Sequence, residues 1–250
     1  MADLILETHG LTKEFRGFTA VQGVELRVRR GTIHALIGPN GAGKTTVFNL
    51  LTKFLEPTSG QIYYKGREIT RARPADVARR GLVRSFQISA VFPHLSVREN
   101  VRVALQRPLG NSFHFWRSER VLDRLNDRAE ALLDAVGLRG FAGHTAASLP
   151  YGRKRALEIA TTLALDPEMM LLDEPMSGLG HEDIGRISGL IRQVARDRTV
   201  LMVEHNLSVV ADLSDTITVL TRGSILAEGD YAAVSGNPEV VEAYMGTGHA

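Results

Sequence analysis

One stretch, Gly38-Pro39-Asn40-Gly41-Ala42-Gly43-Lys44-Thr45, constrains this chain more than any other. It matches G-x-x-x-x-G-K-[ST] without a gap. A compact apolar run, residues 32–37, leads into it, and a helical pattern follows it through Leu55. Strand, glycine loop and helix in that order let a backbone wrap around phosphate oxygens. Glycines take up conformations that side chains forbid. The helix N-terminus turns free N–H groups and a positive dipole toward the anion. Lys44 then reaches the β- and γ-phosphates as a point charge, and the Thr45 hydroxyl offers Mg²⁺ a hard ligand. Thr46 completes the candidate phosphate-binding set.

A second run points to the same chemistry. Met169-Met170-Leu171-Leu172 is apolar throughout and closes in Asp173-Glu174. Four buried-type residues place the two acids at a strand's C-terminal edge, where α/β sheets hold ligands. Asp173 is the candidate Mg²⁺ carboxylate. Glu174 is the candidate general base for an attacking water. A lone apolar strand ending in acids is as often a solvated turn; beside the glycine loop it reads as a nucleotide site.

The rest of the chain fits this frame. Its 250 residues are 44% hydrophobic, enough for a substantial core without staples, and there is no cysteine. That excludes a disulfide scaffold, cysteine-ligated metal and thiol catalysis. Thirty cations against 28 acids leave a formal charge of +2, too balanced for a broad nucleic-acid footprint. Residues 67–84 hold six arginines against Glu68 and Asp76, read as a solvated face rather than a lipid or nucleic-acid patch. No apolar run reaches the roughly 18–20 residues that span a bilayer. The N-terminus has no basic segment ahead of an apolar one, so it is not read as a signal peptide.

Strand patterns at residues 4–8, 24–28, 32–37, 61–65, 169–172, 199–203, 217–220 and 225–227 alternate with helical ones at 74–80, 153–165 and 182–196. That alternation implies an α/β fold with a parallel sheet. Dense Arg, Glu, Asp and Leu at helical spacing from Ser96 to Leu138 imply an inserted helical subdomain. Pro238 opens a helix expected over 238–245. The expected organisation is one domain: an α/β core in 1–90 and 166–230, a helical insertion near 91–165 and a tail from 231. Phe113, Phe115 and Trp116 are expected to pack at one end of the insertion. The apolar stretch 88–92 is expected to line a groove for a partner helix.

With both phosphate motifs placed, the chain resembles the nucleotide-binding subunit of ATP-binding cassette (ABC) transporters over essentially its whole length. Gln87 ends an RSFQ stretch where that family has its Q-loop glutamine. His205, in Val203-Glu204-His205, resembles the switch histidine that touches the γ-phosphate. Phe15 resembles the aromatic that stacks on adenine. Leu149-Pro150-Tyr151-Gly152-Arg153 stands where the family has its LSGGQ signature, and Ser177-Gly178-Leu179-Gly180 where it has its D-loop. Three positions depart: Pro150 replaces the signature serine, Tyr151 its first glycine, and Gly180 the D-loop aspartate. Gly152 keeps one backbone donor, and Tyr151 and Gly152 remain candidate contacts to nucleotide.

The LPYGRKRALEIA segment, the long insertion and the tail GNPEVVEAYMG look like the ATPase of branched-chain (hydrophobic) amino-acid importers. Importers of amides or urea share this look. The resemblance implies a P-loop, RecA-like parallel sheet with a small antiparallel β element and an inserted helical subdomain. It implies ATP and Mg²⁺ as cofactors, with Thr45, Gln87 and Asp173 toward the metal and Glu174, His205 and Gln87 toward catalysis. As partners it implies integral membrane permease subunits, a second ABC ATPase (heterodimer favoured over homodimer) and, indirectly, an external substrate-binding protein. The implied location is the cytoplasmic face of the membrane. The rival from another class, a soluble ABC ATPase of ribosome function or DNA repair, usually has two cassettes or a long coiled coil, and this chain has neither.

Overall fold

The computed structural model describes residues 3–85, 91–107 and 123–245. Its first strand, β1 (Leu4–Phe15), turns tightly into β2 (Phe18–Val24). The turn is Arg16-Gly17, both at positive φ (44° and 86°), and Phe15 pairs with Phe18 across it. Two positive φ values are what a two-residue hairpin turn with the right twist requires. Strand β3 (Arg27–Arg29) also pairs with β1, as does β5 (Ser59–Tyr64), which carries β6 (Arg67–Glu68) at its edge. The antiparallel element is therefore a five-stranded sheet, larger than the sequence suggests. Its first strand extends seven residues past Thr8, and the expected strand at 24–28 is interrupted at Glu25-Leu26.

The second sheet has the order β11-β10-β4-β9-β8-β7. Its members are β4 (Ile33–Ile37), β7 (Leu82–Ser85), β8 (Met169–Asp173), β9 (Thr199–Val203), β10 (Thr216–Thr221) and β11 (Ser224–Gly229). All neighbours run parallel except the edge pair β10 and β11. Strands β4, β8 and β9 are buried at every residue, so they read as near-continuous apolar runs, with only His34, Asp173 and Thr199 polar.

Alternate residues of these strands feed two cores. Ile33, Ala35 and Ile37 of β4 join Met170, Leu172, Val200 and Met202 against the helical layer. Leu36, Met169, Leu171 and Leu201 face the antiparallel sheet, with α1 (Lys44–Leu51) packed between through Val47, Phe48, Leu50 and Leu51. The short α2 (Pro74–Arg79) begins on its proline as expected. Arg73, its N-cap, and Arg79, its last residue, pair with Asp76 in solvent.

The helical layer is built from α3 (Val97–Gln106), α4 (Asn126–Ala135) and α5 (Tyr151–Leu163). A capping box opens α3: the Ser96 hydroxyl accepts from Glu99 N–H and the Glu99 carboxylate accepts from Ser96 N–H. Helices α6 (His181–Ala195) and α7 (Leu207–Leu213) follow β8 and β9. The tail forms α8 (Tyr231–Ser235) and α9 (Pro238–Met245), the latter over the expected residues. Phe113, Phe115 and Trp116 lie outside the described residues. No described helix is long and apolar enough to cross a membrane.

Candidate functional site

Parallel register brings three strand ends to one edge. Leu36 of β4 pairs with Val203 of β9, and Val203 pairs with Asp173 of β8. Beyond β4 the glycine loop begins; beyond β8 and β9 come Glu174 and Glu204-His205. Two loop glycines are obligatory. At Gly38 (φ 149°) a Cβ would stand 2.1 Å from the Leu220 carbonyl oxygen, and at Gly43 (φ 101°) 2.5 Å from that of Ala20. Both approaches are backbone against backbone, so no rotamer change relieves them. Lys44 is the first residue of α1, buried, with Nζ donating to the carbonyls of Gly38 (2.6 Å) and Pro39 (3.0 Å). Burial lowers its pKa, while the charges of Glu174 and Asp173 pull it back up, which sets both acids around the ammonium.

Asp173 is buried, and its Oδ2 accepts from the Arg84 guanidinium. Arg84 also donates to Asn49 Oδ1 at 2.6 Å and stands 5.7 Å from the centre of the Phe48 ring. Glu174 takes a left-handed backbone (φ 47°), uncommon for a residue with a side chain. Its carboxylate meets His205 Nε2 at 2.8 Å, so the two candidate catalytic side chains are in direct contact. Gln87, the third, lies outside the described residues, two positions past the end of β7.

Two buried groups shape the turn after β8. Arg155 of α5 donates to the carbonyls of Glu174 (2.6 Å) and Pro175 (3.1 Å) and to the Glu158 carboxylate (2.7 Å). Glu204 accepts from the N–H groups of Met176 and His205, both at 2.9 Å. Burial outweighs Arg155 at Glu158 and raises its pKa. The sequence reading missed Arg84, Arg155 and Glu204. The available signal for Arg155 was an Arg–Glu pair three apart on the apolar-rich helix.

Phe15 ends β1 as an exposed aromatic with Lys13 Nζ 5.1 Å from its ring centre. The adjoining strand β2 touches the glycine loop, through Ala20 at Gly43. Pro150 is the N-cap of α5 and brings no side-chain cap; Gly180 does the same for α6. The Tyr151 hydroxyl donates to the Ser177 carbonyl at 3.2 Å, tying the signature position to the D-loop position within one chain. At Gly152 a Cβ would lie 2.3 Å from the Asp183 carboxylate, so a side chain there requires Asp183 to turn away.

A glycine loop under a helix, with acids ending the strand two places along the sheet and a histidine on one of them, defines a nucleotide-phosphate-binding ATPase cassette. A family profile described as ABC transporter matches residues 21–177, and one described as branched-chain amino acid ATP-binding cassette transporter matches 224–250. The chain belongs to the ABC transporter ATPase subunits, in their branched-chain amino-acid branch. It is 40% identical over 256 residues to the high-affinity branched-chain amino acid transport ATP-binding protein BraF of Pseudomonas aeruginosa, covering 98% of this chain and 99% of that one. LivG of Escherichia coli K12, of the same description, is 37% identical over 258 residues with the same coverage. A solved ATP-binding cassette of an ABC transporter in its ADP conformation superposes with a TM-score of 0.85 at 30% identity, covering 97% of this chain and 99% of that chain.

Proposed function

We propose that this chain is the ATP-hydrolysing subunit of an importer of branched-chain or hydrophobic amino acids, held at the cytoplasmic face of the membrane by permease subunits. One observation carries the reading: Lys44, Asp173 and the Glu174–His205 pair converge at one edge of the parallel sheet. Residues 38–46 cradle the triphosphate of ATP, and Lys44 leaves its loop carbonyls for the β- and γ-phosphates. Phe15 stacks on adenine. Thr45 and Asp173 supply a hydroxyl and a carboxylate, hard oxygen donors that suit Mg²⁺ and leave its other positions to phosphate and water. Bound there, Mg²⁺ neutralises phosphate charge. Gln87, outside the described residues, is assigned by the family resemblance to the same metal and to coupling with the permease. Glu174 orients the attacking water and takes its proton, and His205 stabilises the charge on the transferred phosphoryl group.

A groove of about 520 Å³ supports the permease assignment. It runs between the α/β core and the helical layer, lined by Phe54, Ala78, Arg84, Phe92, Val103 and Ala104. Phe54 and Phe92 are more than half exposed in it. Exposed aromatics in a concave strip suit an apolar helix face of the permease. A second ABC ATPase completes the site through its own signature, and an external binding protein delivers the substrate. Nucleic acid has no place in the assembly.

Glu174→Gln tests the reading. The amide keeps the shape but cannot take the proton, so ATP binding persists while turnover falls by about 10²–10⁴-fold. Wild-type hydrolysis by this variant would remove Glu174 as the base.

A further inference from the structure

The two oxygen donors offered to Mg²⁺ come from different elements, Thr45 from the start of α1 and Asp173 from the end of β8. Their separation depends on how α1 sits against the sheet. One side chain ties the two elements together. Arg84 of β7 lies beside Leu171 in the parallel register, so it shares a sheet face with Leu171 and Asp173. That face is the one α1 covers, since Leu171 belongs to the same core as Val47 and Phe48. There the Arg84 guanidinium forks. Nη1 donates to Asn49 Oδ1 on α1 at 2.6 Å, and Nη2 donates to Asp173 Oδ2. The Phe48 ring, with its centre 5.7 Å away, flanks the fork. Asn49 stands one turn beyond Thr45, on the same side of α1. The Arg84 and Asp173 side chains are only 12% and 9% exposed, so little water competes for the pair.

We propose that Arg84 is a positioning residue for the metal, a brace between α1 and β8 that fixes the separation of Thr45 and Asp173. Mg²⁺ demands near-octahedral geometry and tolerates little drift in its oxygens. A guanidinium is planar and rigid, so the spacing of its two arms does not vary; a lysine carries the same charge on a flexible stem and lacks the fork. Asn49 and Phe48 hold the guanidinium from the α1 side, independently of the carboxylate. Arg84 takes only Oδ2 of Asp173, which leaves Oδ1 for the metal or its water. The brace thus orients the carboxylate without using it up.

The inference rests on the Mg·ATP reading, and its test separates the two. Two variants are made in a Glu174→Gln background. Arg84→Lys keeps the charge beside Asp173 and removes the fork; Asn49→Ala frees the α1 arm and leaves the Arg84–Asp173 pair intact. Mn²⁺, which shares the octahedral oxygen preference of Mg²⁺, is titrated with protein in excess over ATP and read from the free-ion electron paramagnetic resonance signal. ATP affinity is also titrated in EDTA. The expected result is Mn²⁺ affinity weakened by about 10–100-fold in Arg84→Lys, the usual cost of losing a group that orients a metal ligand, and in the same direction by less in Asn49→Ala. Metal-free ATP affinity is expected to stay at the parental value in both. A parental Mn²⁺ affinity in either variant overturns the brace, because Arg84 is then a counter-ion alone. So does a rise, which means that Arg84 competes with the metal for Asp173. An equal loss of metal-free ATP affinity also overturns it, since the contacts then shape the site as a whole. If Arg84→Lys does not fold, Asn49→Ala decides by itself. Failure of the Glu174→Gln parent to bind ATP overturns the ATPase reading instead.

Discussion

Each charged group at the strand ends already has a partner. Asp173 holds Arg84, Glu174 holds His205, and Lys44 holds two carbonyls of its own loop. Nucleotide binding therefore exchanges contacts, as at Lys44, and at the adenine end the existing contact is only Lys13 beside the exposed Phe15 ring. Phe15→Ala is expected to weaken ATP by about 1–3 kcal/mol, the worth of a base stacked on an aromatic ring, while leaving free triphosphate unchanged. Calorimetry with both ligands decides; equal losses mean that Phe15 does not stack on the base. His34 is the other residue with a measurable consequence. It is buried in β4 with Nε2 2.7 Å from Thr218 Oγ1, and Thr218 in turn donates to Glu228. Burial drops its pKa from 6.5 to about 4, so the folded protein keeps it neutral. Between those values the unfolded chain binds a proton that the folded chain refuses. Stability from this site is thus complete above pH 6.5 and is lost as pH falls toward 4, by about 3 kcal/mol. His34→Gln keeps a hydrogen-bond donor without titrating. Urea unfolding across that window is expected to show a shallower acid slope than wild type; identical slopes exclude His34 as its source.

Helix α5 does more than carry the signature position. Through Arg155 it holds the carbonyls of the turn that sets Glu174 against His205, and through Glu158 it neutralises that cation inside the fold. Arg155→Leu strands a buried carboxylate, a loss of about 3–5 kcal/mol. Adding Glu158→Leu removes the stranded charge and is expected to restore most of the stability. It does not restore the turn, so ATPase activity stays low in the double variant. Recovery of activity together with stability would show that Arg155 matters only as a counter-ion. Sequence offers only the Arg–Glu spacing for such a role, because nothing in Arg155-Ala156-Leu157-Glu158 says that the pair faces inward. The elements buried on both faces were legible: β4, β8 and β9 are apolar but for His34, Asp173 and Thr199, and β9 falls on the expected residues. The hairpin of β1 and β2 was not. Its strands mix buried and exposed positions, and its turn is Arg-Gly rather than the usual Asn-Gly. The glycine loop and the acids after β8 were legible because backbone chemistry dictates their residue types. Arg84 was hidden in an arginine-rich stretch whose other described members point to solvent or to Asp76.

At the scale of the assembly, we propose that the signature end of α5 decides with what the cassette pairs. A closed dimer sets each signature against the partner's phosphate loop, and Pro150 brings neither hydroxyl nor N–H to that contact. A homodimer repeats this defect, with Gly180 also on both sides; a heterodimer carries it once, leaving Lys44 and Glu174 to face a complete signature. Pro150 sits at φ −55° and ψ 155°, extended values that a serine adopts without strain. It gives α5 no side-chain cap, so a serine there adds a capping acceptor worth about 1 kcal/mol to the helix. Helix α5 therefore does not depend on the proline to start. In a Glu174→Gln background, the chain is expected to self-associate weakly with Mg·ATP. Pro150→Ser in that background is expected to tighten the homodimer by about a hundredfold or more, since one hydrogen bond to a charged group is worth about 1.5–3 kcal/mol and two are restored. Sedimentation with and without Mg·ATP separates this gain from the cap, which acts in both conditions. A tight ATP-dependent homodimer with Pro150 intact, unchanged by the serine, would refute the heterodimer argument.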